Sequence, residues 1–288
     1  MKVFVTGSEG QLGRTLMEAL PGTVYLAGGN LPEIDISDRS ALESQFAAER
    51  PDFVINAAAY TAVAKAESEP EIAERVNVDG ARNVAQAARE AGARVVHLST
   101  DFVFDGEKSE PYVPDDAPAP LSVYGRTKLD GEAAVLDGTE GDAIVIRTAW
   151  LYSRFGQNFV KTMLRLMGER DTLSVVADQR GTPTWARSLA EVIWAAIDQD
   201  LPGGVYHWTD GGEASWYDFA EAIYKEARGS GMLDRDVAIR AIPTEEYQTP
   251  ARRPAYSVLD CSATVAALGV EQRPWATPLQ QMLAEMRD

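Results

Sequence analysis

The 288-residue chain is long enough for one large domain or two smaller ones, and its 45% hydrophobic and 25% charged content is ordinary for a globular protein. A net charge of −17 argues against a general surface for nucleic acid or an anionic membrane, so an anionic ligand would need a local basic pocket. A single cysteine, Cys261, excludes an internal disulfide framework and any multi-cysteine metal site, and with only His97 and His207 a zinc site of ordinary composition is not expected.

The chain opens directly on the apolar run Val3-Phe4-Val5, and no run of 18 apolar residues follows anywhere, so a cytoplasmic location is expected. Residues 2–6 read as a strand that ends at Gly7. Gly7-Ser8-Glu9-Gly10-Gln11-Leu12-Gly13 then opens an amphipathic helix over 14–20. The glycine spacing, G-x-x-G-x-x-G, is one residue longer in its first gap than the usual dinucleotide fingerprint. Gly7 lets the chain turn, Gly10 lets backbone N–H groups approach a pyrophosphate, and Gly13 lets the helix pack close to its strand. The helix N-terminus adds a favourable dipole.

Residues 23–27 form the second predicted strand. The carboxylate expected just past its end to bind a 2′-hydroxyl is replaced by Gly28-Gly29-Asn30, and no arginine stands there to attract a 2′-phosphate. NADH and NADPH therefore both remain open. Asp35-Ile36 follows, with Ser37 or Asp38 capping a helix through Gln45. A strand over 52–56 runs into Ala57-Ala58-Ala59, small residues that permit a cofactor or a neighbouring helix to approach closely. A helix over 81–91 begins at Asn77-Val78-Asp79-Gly80, and a strand over 94–98 delivers Ser99-Thr100 at its C-terminal end, the edge where open α/β sheets hold ligands. His97, alternating with strand neighbours, reads as a packed core histidine.

Tyr124-Gly125-Arg126-Thr127-Lys128 comes next, leading into good helix formers with an apolar stripe. Tyr and Lys four apart share a helix face. A free phenol titrates near ~10. An ammonium ~4.5 Å away, at an effective dielectric of ~20, favours the phenolate by roughly 3–4 kcal/mol, enough to lower its pKa by about 2–3. That would make Tyr124 a general acid, with the Thr100 hydroxyl holding a substrate carbonyl against it.

A strand over 143–148 completes a run of βαβ units, so residues 1–150 are predicted to form a doubly wound parallel sheet of the α/β, Rossmann-like class. Beyond it the pattern changes. Helices are expected over 158–167, 186–197 and 215–227, and strands over 173–176 and 205–208. Trp216 and Tyr217 read as packing residues. The tail is a smaller mixed domain interleaved with the first. Residues 151–171 and 201–288 would belong to it, and about 172–200 would return to the sheet.

These residues resemble the extended short-chain dehydrogenase/reductase superfamily, and within it the dTDP-4-dehydrorhamnose reductases. The likeness runs through nearly the whole chain. It is carried by the glycine run, Asn56 to Val63, Lys65 to Pro70, Ser99 to Phe104, Pro120 to Lys128, Arg147 to Trp150, Asn158-Phe159, Asp178 to Thr184 and Arg253-Pro254. It implies NADPH- or NADH-dependent reduction of the C4 ketone of a nucleotide-linked 4-keto-6-deoxy sugar, dTDP-4-dehydro-L-rhamnose to dTDP-L-rhamnose. Catalysis would fall to Tyr124, Lys128 and Thr100, with Lys128 also on the nicotinamide ribose. Gly7, Gly10, Gln11, Leu12 and Gly13 would cradle the phosphates, and Asp35, Ile36, Ala59, Tyr60 and Thr61 would line the cofactor channel. Thr100, Asp101 and Trp150 would meet the sugar, and Arg253 its diphosphate; the alternative for Arg253 is a surface ion pair.

Two departures bear on the substrate. The run after Arg253-Pro254 is Ala255-Tyr256-Ser257-Val258-Leu259 where the family carries x-Asn-Ser-Arg-Leu, which leaves the nucleoside open. Phe102 replaces a common Tyr, removing a hydroxyl near the sugar. Some relatives are linked to magnesium at a dimer contact; no carboxylate cluster here demands a metal, so none is expected, and a homodimer is left open. Nucleotide-sugar dehydratases carry Thr-Asp-Glu where this chain has Thr100-Asp101-Phe102, and without that glutamate elimination lacks its base. Epimerising reductases with a Cys/His pair fit poorly, since Cys261 lies far along the chain. The remaining alternatives are reduction of another nucleotide-linked keto-sugar and a cofactor-binding regulatory subunit without turnover.

Overall fold

The inner strands of the first half are buried along nearly their whole length, not on alternate residues, as a parallel sheet covered on both faces requires, while the edge strand over 25–29 is buried only at its end. The structure is a computed structural model and describes residues 1–287. Its first half runs β1 (Lys2–Thr6), α1 (Gln11–Glu18), β2 (Tyr25–Gly29), α2 (Arg39–Glu49), β3 (Phe53–Asn56), α3 (Val63–Ala66), α4 (Pro70–Glu74), α5 (Ala81–Glu90), β4 (Arg94–Thr100), α6 (Val123–Gly138) and β5 (Ile144–Thr148). Next come β6 (Leu151–Tyr152), α7 (Phe159–Glu169), β7 (Thr172–Val176), β8 (Arg180–Gly181), β9 (Thr184–Trp185), α8 (Ala186–Asp198) and β10 (Gly204–His207). The chain closes with β11 (Ala214–Ser215), α9 (Trp216–Gly229), β12 (Ala238–Ile242), α10 (Ser262–Leu268) and α11 (Ala276–Glu285).

Six parallel strands form the central sheet, in the order β10-β5-β4-β3-β1-β2. From β1 the chain moves outward to β2, then returns to the other side of β1 as β3. That reversal opens a crevice at the C-terminal ends of β1 and β3. One face is covered by α1 and α8 through Leu12, Leu16, Leu189, Ile193 and Ile197. The other is covered by α2, α5 and α6 through Leu42, Phe46, Val84, Ala88 and Val135. No helix among the described residues is long and apolar enough to cross a membrane.

A second core gathers Tyr152, Met163, Met167, Phe219, Ile223, Leu279 and Met282 from the later elements. The partition between the cores differs from the expected boundaries. β7 pairs in parallel with β12, so residues 172–176 belong with the later unit and do not return to the sheet. Only α8 returns. β10, expected in the smaller domain, lies beside β5 with Val205 opposite Val145. The reason is topological: a parallel strand must be reached by a crossover of a dozen or more residues, and α8 supplies the one that brings β10 to the exposed edge of β5. α10 joins the same side, since Cys261 and Leu268 pack into the sheet's core.

The helix expected over 81–91 does not begin at Asn77. A π-helical turn over Arg75–Gly80 links α4 to α5. This wide turn directs Asn77 inward, where its Oδ1 accepts from the Tyr60 N–H at 2.8 Å and its Nδ2 donates to Thr127 Oγ1 at 3.1 Å.

Candidate active site

The glycine turn is built from absent side chains. Gly7 has φ +69°, and a Cβ there would lie 2.9 Å from the Ala58 backbone. A Cβ on Gly13 would overlap the Gly7 carbonyl. Gly10 is the N-cap of α1, which starts three residues earlier than predicted, and no side chain caps its first amides. Uncapped amides at a helix N-terminus that lines the cleft fit a pyrophosphate. Gln11 has a separate task. Its Oε1 accepts from Asn158 Nδ2 at 2.9 Å, tying the start of α1 to the residue that caps α7.

One cleft of about 730 Å³ runs from this turn across the ends of the strands. Gly7, Gly10, Gln11, Leu12, Gly13, Asp35, Ile36, Ala59 and Thr61 line it, and so do Thr100, Asp101, Tyr124, Lys128, Trp150 and Arg253. Tyr60 is the exception among the expected residues. Its backbone is clamped by Asn77 and its hydroxyl donates to Glu69 at 2.7 Å, which takes the ring away from the cleft wall. Asn30 also lines the cleft, at the end of β2. Asp35 Oδ1 accepts from the Ser37 N–H and hydroxyl, while Asp38 is the residue that caps α2.

Tyr124 stands in the first turn of α6 because Ser122 caps that helix, its Oγ accepting from the Gly125 N–H at 3.1 Å. A Cβ on Gly125 would overlap the Phe102 carbonyl, so glycine lets α6 start close to the segment after β4. The Phe102 ring meets the Tyr124 ring edge-on at 5.6 Å. Lys128, one turn later, is 3% exposed and donates from Nζ to the Leu98 carbonyl at 2.6 Å.

The electrostatics reverse one expectation. Burial pushes the Tyr124 phenol up to about 12, the Asp101 charge adds to this, and the Thr100 hydroxyl opposes it. Burial likewise pushes the Lys128 ammonium down to about 8, against the pull of Glu132. The predicted lowering of Tyr124 by its lysine is therefore outweighed, because loss of water penalises the charged form of each group. Tyr124 holds its proton at neutral pH.

Beneath this pair lies a buried ion pair that sequence reasoning missed. Arg147 donates to both oxygens of Glu132, at 2.9 and 2.8 Å, and the Ser99 hydroxyl also donates to Glu132. Breaking such a pair strands a buried charge at a typical cost of about 3–5 kcal/mol. The available signal was spacing, since Glu132 falls one further turn along the ridge of Tyr124 and Lys128.

Asp101, 2% exposed, accepts from Thr100 Oγ1 at 3.0 Å through Oδ1, and its Oδ2 has no partner. Burial raises its carboxyl to about 6 in spite of Ser257, Thr100 and the Arg253 charge. Arg253 makes no ion pair among the described residues and its Nε has no partner, so the surface-pair alternative is not what the fold builds. Trp150 adopts φ +46° and stacks on Trp216 with ring centroids 3.5 Å apart. Trp216, read from sequence as packing alone, lines the cleft as well. His97 is a buried core histidine as expected, with Nδ1 3.1 Å from Asn56 Nδ2, and burial holds it well below the usual imidazole range.

The whole chain, residues 1–288, matches the family described as RmlD substrate binding domain. A dTDP-4-dehydrorhamnose reductase of Sinorhizobium fredii is 42% identical over 293 residues, covering 98% of this chain and 97% of its own. A solved dTDP-4-dehydrorhamnose reductase from Clostridium acetobutylicum is similar at a TM-score of 0.94 and 40% identity, covering 100% of both chains. Another from Bacillus anthracis, in complex with NADP, is similar at 0.93 and 37% identity, covering 99% of each chain.

Proposed function

The chain belongs to the RmlD substrate binding domain family, and on that premise we propose that it is an NAD(P)H-dependent reductase of the C4 ketone of a nucleotide-linked 4-keto-6-deoxy sugar, converting dTDP-4-dehydro-L-rhamnose to dTDP-L-rhamnose. The observation that carries this reading is that Thr100, Tyr124, Lys128 and Arg253 line the same cleft as the glycine turn. An anion-binding helix start, a protonated phenol and a buried ammonium in one cleft are what ketone reduction needs.

Gly7, Gly10, Gln11, Leu12 and Gly13 would hold the pyrophosphate of NADPH or NADH, Gln11 through its backbone amide at the start of α1, with Asp35, Ile36, Ala59 and Thr61 along the rest of its length. Neither charge stands at residues 28–30 to select the 2′ group. When bound, the reduced nicotinamide supplies a hydride to C4 of the sugar.

Tyr124 gives its proton to the C4 oxygen as negative charge develops there. With a phenol at about 12, the proton is present at neutral pH and leaves only for a basic alkoxide. The Thr100 hydroxyl, which donates to Asp101 Oδ1 in this structure, would turn from that carboxylate to donate to the C4 oxygen. Lys128, protonated below about 8, stabilises the phenolate that remains. Asp101 lines the cleft with its Oδ2 buried and without a partner, an acceptor that a sugar hydroxyl would satisfy if it reached that depth. Arg253, half-buried and without an ion-pair partner, is the cation available to the diphosphate in an otherwise acidic chain.

The test is to incubate the purified chain with dTDP-4-keto-L-rhamnose and each cofactor and to identify the product by NMR. Oxidation of NADPH or NADH only when the sugar is present is the expected result, and the NMR coupling constants at C4 assign the alcohol's configuration. Tight cofactor binding with no oxidation would overturn the reading and leave a regulatory subunit.

A further inference from the structure

Trp150 has an unusual backbone for a bulky residue. Its φ of +46° lies in the left-handed region. Such a conformation persists where the surroundings over-determine it. Two residues grip the indole. A Cβ on Gly181 would fall 2.6 Å from Trp150 Cε2 and 2.7 Å from its Nε1, so only glycine fits beside the ring there. Trp216 lies on a face of the ring, its plane within 7° of parallel. Phe159 backs Trp216 in turn, with centroids 4.7 Å apart.

A short piece of backbone brings the gripping residues together. The antiparallel ladder of β8 and β11 sets Gly181 opposite Ala214 and Arg180 opposite Ser215. Trp216 follows at once as the first residue of α9. That helix start is locked by a reciprocal cap: Ser215 Oγ accepts from the Asp218 N–H at 3.0 Å, and Asp218 Oδ2 accepts from the Ser215 N–H at 2.9 Å. Thr182 Oγ1 donates to the Gly212 carbonyl at 2.8 Å and ties the two connections together.

We propose that Trp216 and Gly181 are positioning residues of the substrate site, carried by the β8–β11 ladder as a two-sided grip that sets the orientation in which the Trp150 indole meets the sugar. Trp216 takes up one face of that indole, so the grip decides which ring surface the substrate finds. This rests on Trp150 as the sugar-contacting residue of the function proposed above.

The experiment compares KM for the nucleotide sugar, kcat and the Kd of NADPH across variants. Trp216→Ala raises KM by roughly three- to tenfold, the worth of one aromatic pair, with the NADPH Kd unmoved. Trp216→Phe keeps a stacked ring and recovers most of the loss. Gly181→Ala pushes on the indole from its other contact and raises KM with Trp216 still in place. Coupling between the two stacked indoles gives a near-UV circular dichroism band that is lost equally in Trp216→Phe and Trp150→Phe. In the unaltered chain that band changes when dTDP-4-keto-L-rhamnose is added.

A lower melting temperature in Trp216→Ala with KM unchanged would overturn the proposal, as would a parallel rise in KM and NADPH Kd. If Trp216→Ala does not fold, Gly181→Ala decides, and an unchanged KM there overturns it. Failure of the functional reading looks different. In that case the unaltered chain does not oxidise NADPH with this sugar, whereas failure of the grip leaves turnover intact and KM unmoved in Trp216→Ala and Gly181→Ala.

Discussion

The two walls of the cleft are made of opposite materials. On the side proposed for the cofactor, the glycine turn of Gly7, Gly10 and Gly13 and the small residues Ala57, Ala58 and Ala59 leave backbone open to the cleft beside Leu12 and Ile36. On the side proposed for the sugar the surface is bulky side chain: Trp150, Trp216, Phe102 and Arg253. A pyrophosphate is gripped by amides, which work only where no side chain intervenes. A sugar offers apolar C–H faces and hydroxyls, which need aromatic rings and isolated polar groups to read them. Tyr124 and Lys128 stand between the walls, on one ridge of α6.

The largest test of that contrast removes the group at the junction. Tyr124→Phe keeps ring packing against Phe102 and loses only the proton, so kcat falls by roughly 10²–10⁴ while NADPH binds as before. Stopped-flow rates and cofactor fluorescence check it, and full activity in this variant ends the mechanism.

Next in size is Asp101. Its carboxyl is held at about 6 against an ordinary 3.8, so between those values the folded chain binds a proton that the unfolded chain does not. Its contribution to stability is complete below about 4 and is lost as pH rises through 6. Asp101→Asn removes that loss. Its stability between pH 4 and 7, from urea midpoints, should differ from that of the unaltered chain by a pH-dependent amount of up to roughly 3 kcal/mol. Parallel curves for the two proteins would show that Asp101 is not the group strained by burial.

Breaking the other wall takes one methyl. Gly13→Ala forces a Cβ into the Gly7 carbonyl and costs about 1–3 kcal/mol of stability. NADPH affinity falls with it, and sugar contacts on the far wall are untouched. A melting curve and a cofactor titration measure both.

The smallest expected effect is a change of shape in a pH profile. As pH climbs through about 8 the Lys128 ammonium loses its charge, and the rate falls. Lys128→Met is slower throughout, binds cofactor more weakly and lacks that limb. A limb that stays in place in the variant would remove the electrostatic role from Lys128.

The same contrast explains what was legible. The cofactor wall is written over seven consecutive residues, Gly7 to Gly13, so spacing alone exposes it. The Tyr124–Lys128 pair is visible for the same reason. The opposite wall draws Trp150, Trp216 and Arg253 from separate parts of the chain, with Gly181 behind Trp150, and no local pattern marks Trp216 as belonging with Trp150. Resemblance to a family supplied Trp150 and Arg253; nothing supplied Trp216 or Glu132.

Alternating strand and helix patterns, glycine spacing and helix-turn periodicity belong to contacts within a few residues, and these the amino-acid order determined: the doubly wound sheet, the turn at its first strand and the shared α6 ridge of Tyr124 and Lys128. Tertiary structure alone decided that β10 and not β7 completes the sheet, that Tyr60 turns to Glu69, and that Tyr124 is pushed up in pKa where an isolated helix would pull it down. Each of those depends on how much water is left around a group and on which distant element fills the space, quantities set by the packed molecule as a whole.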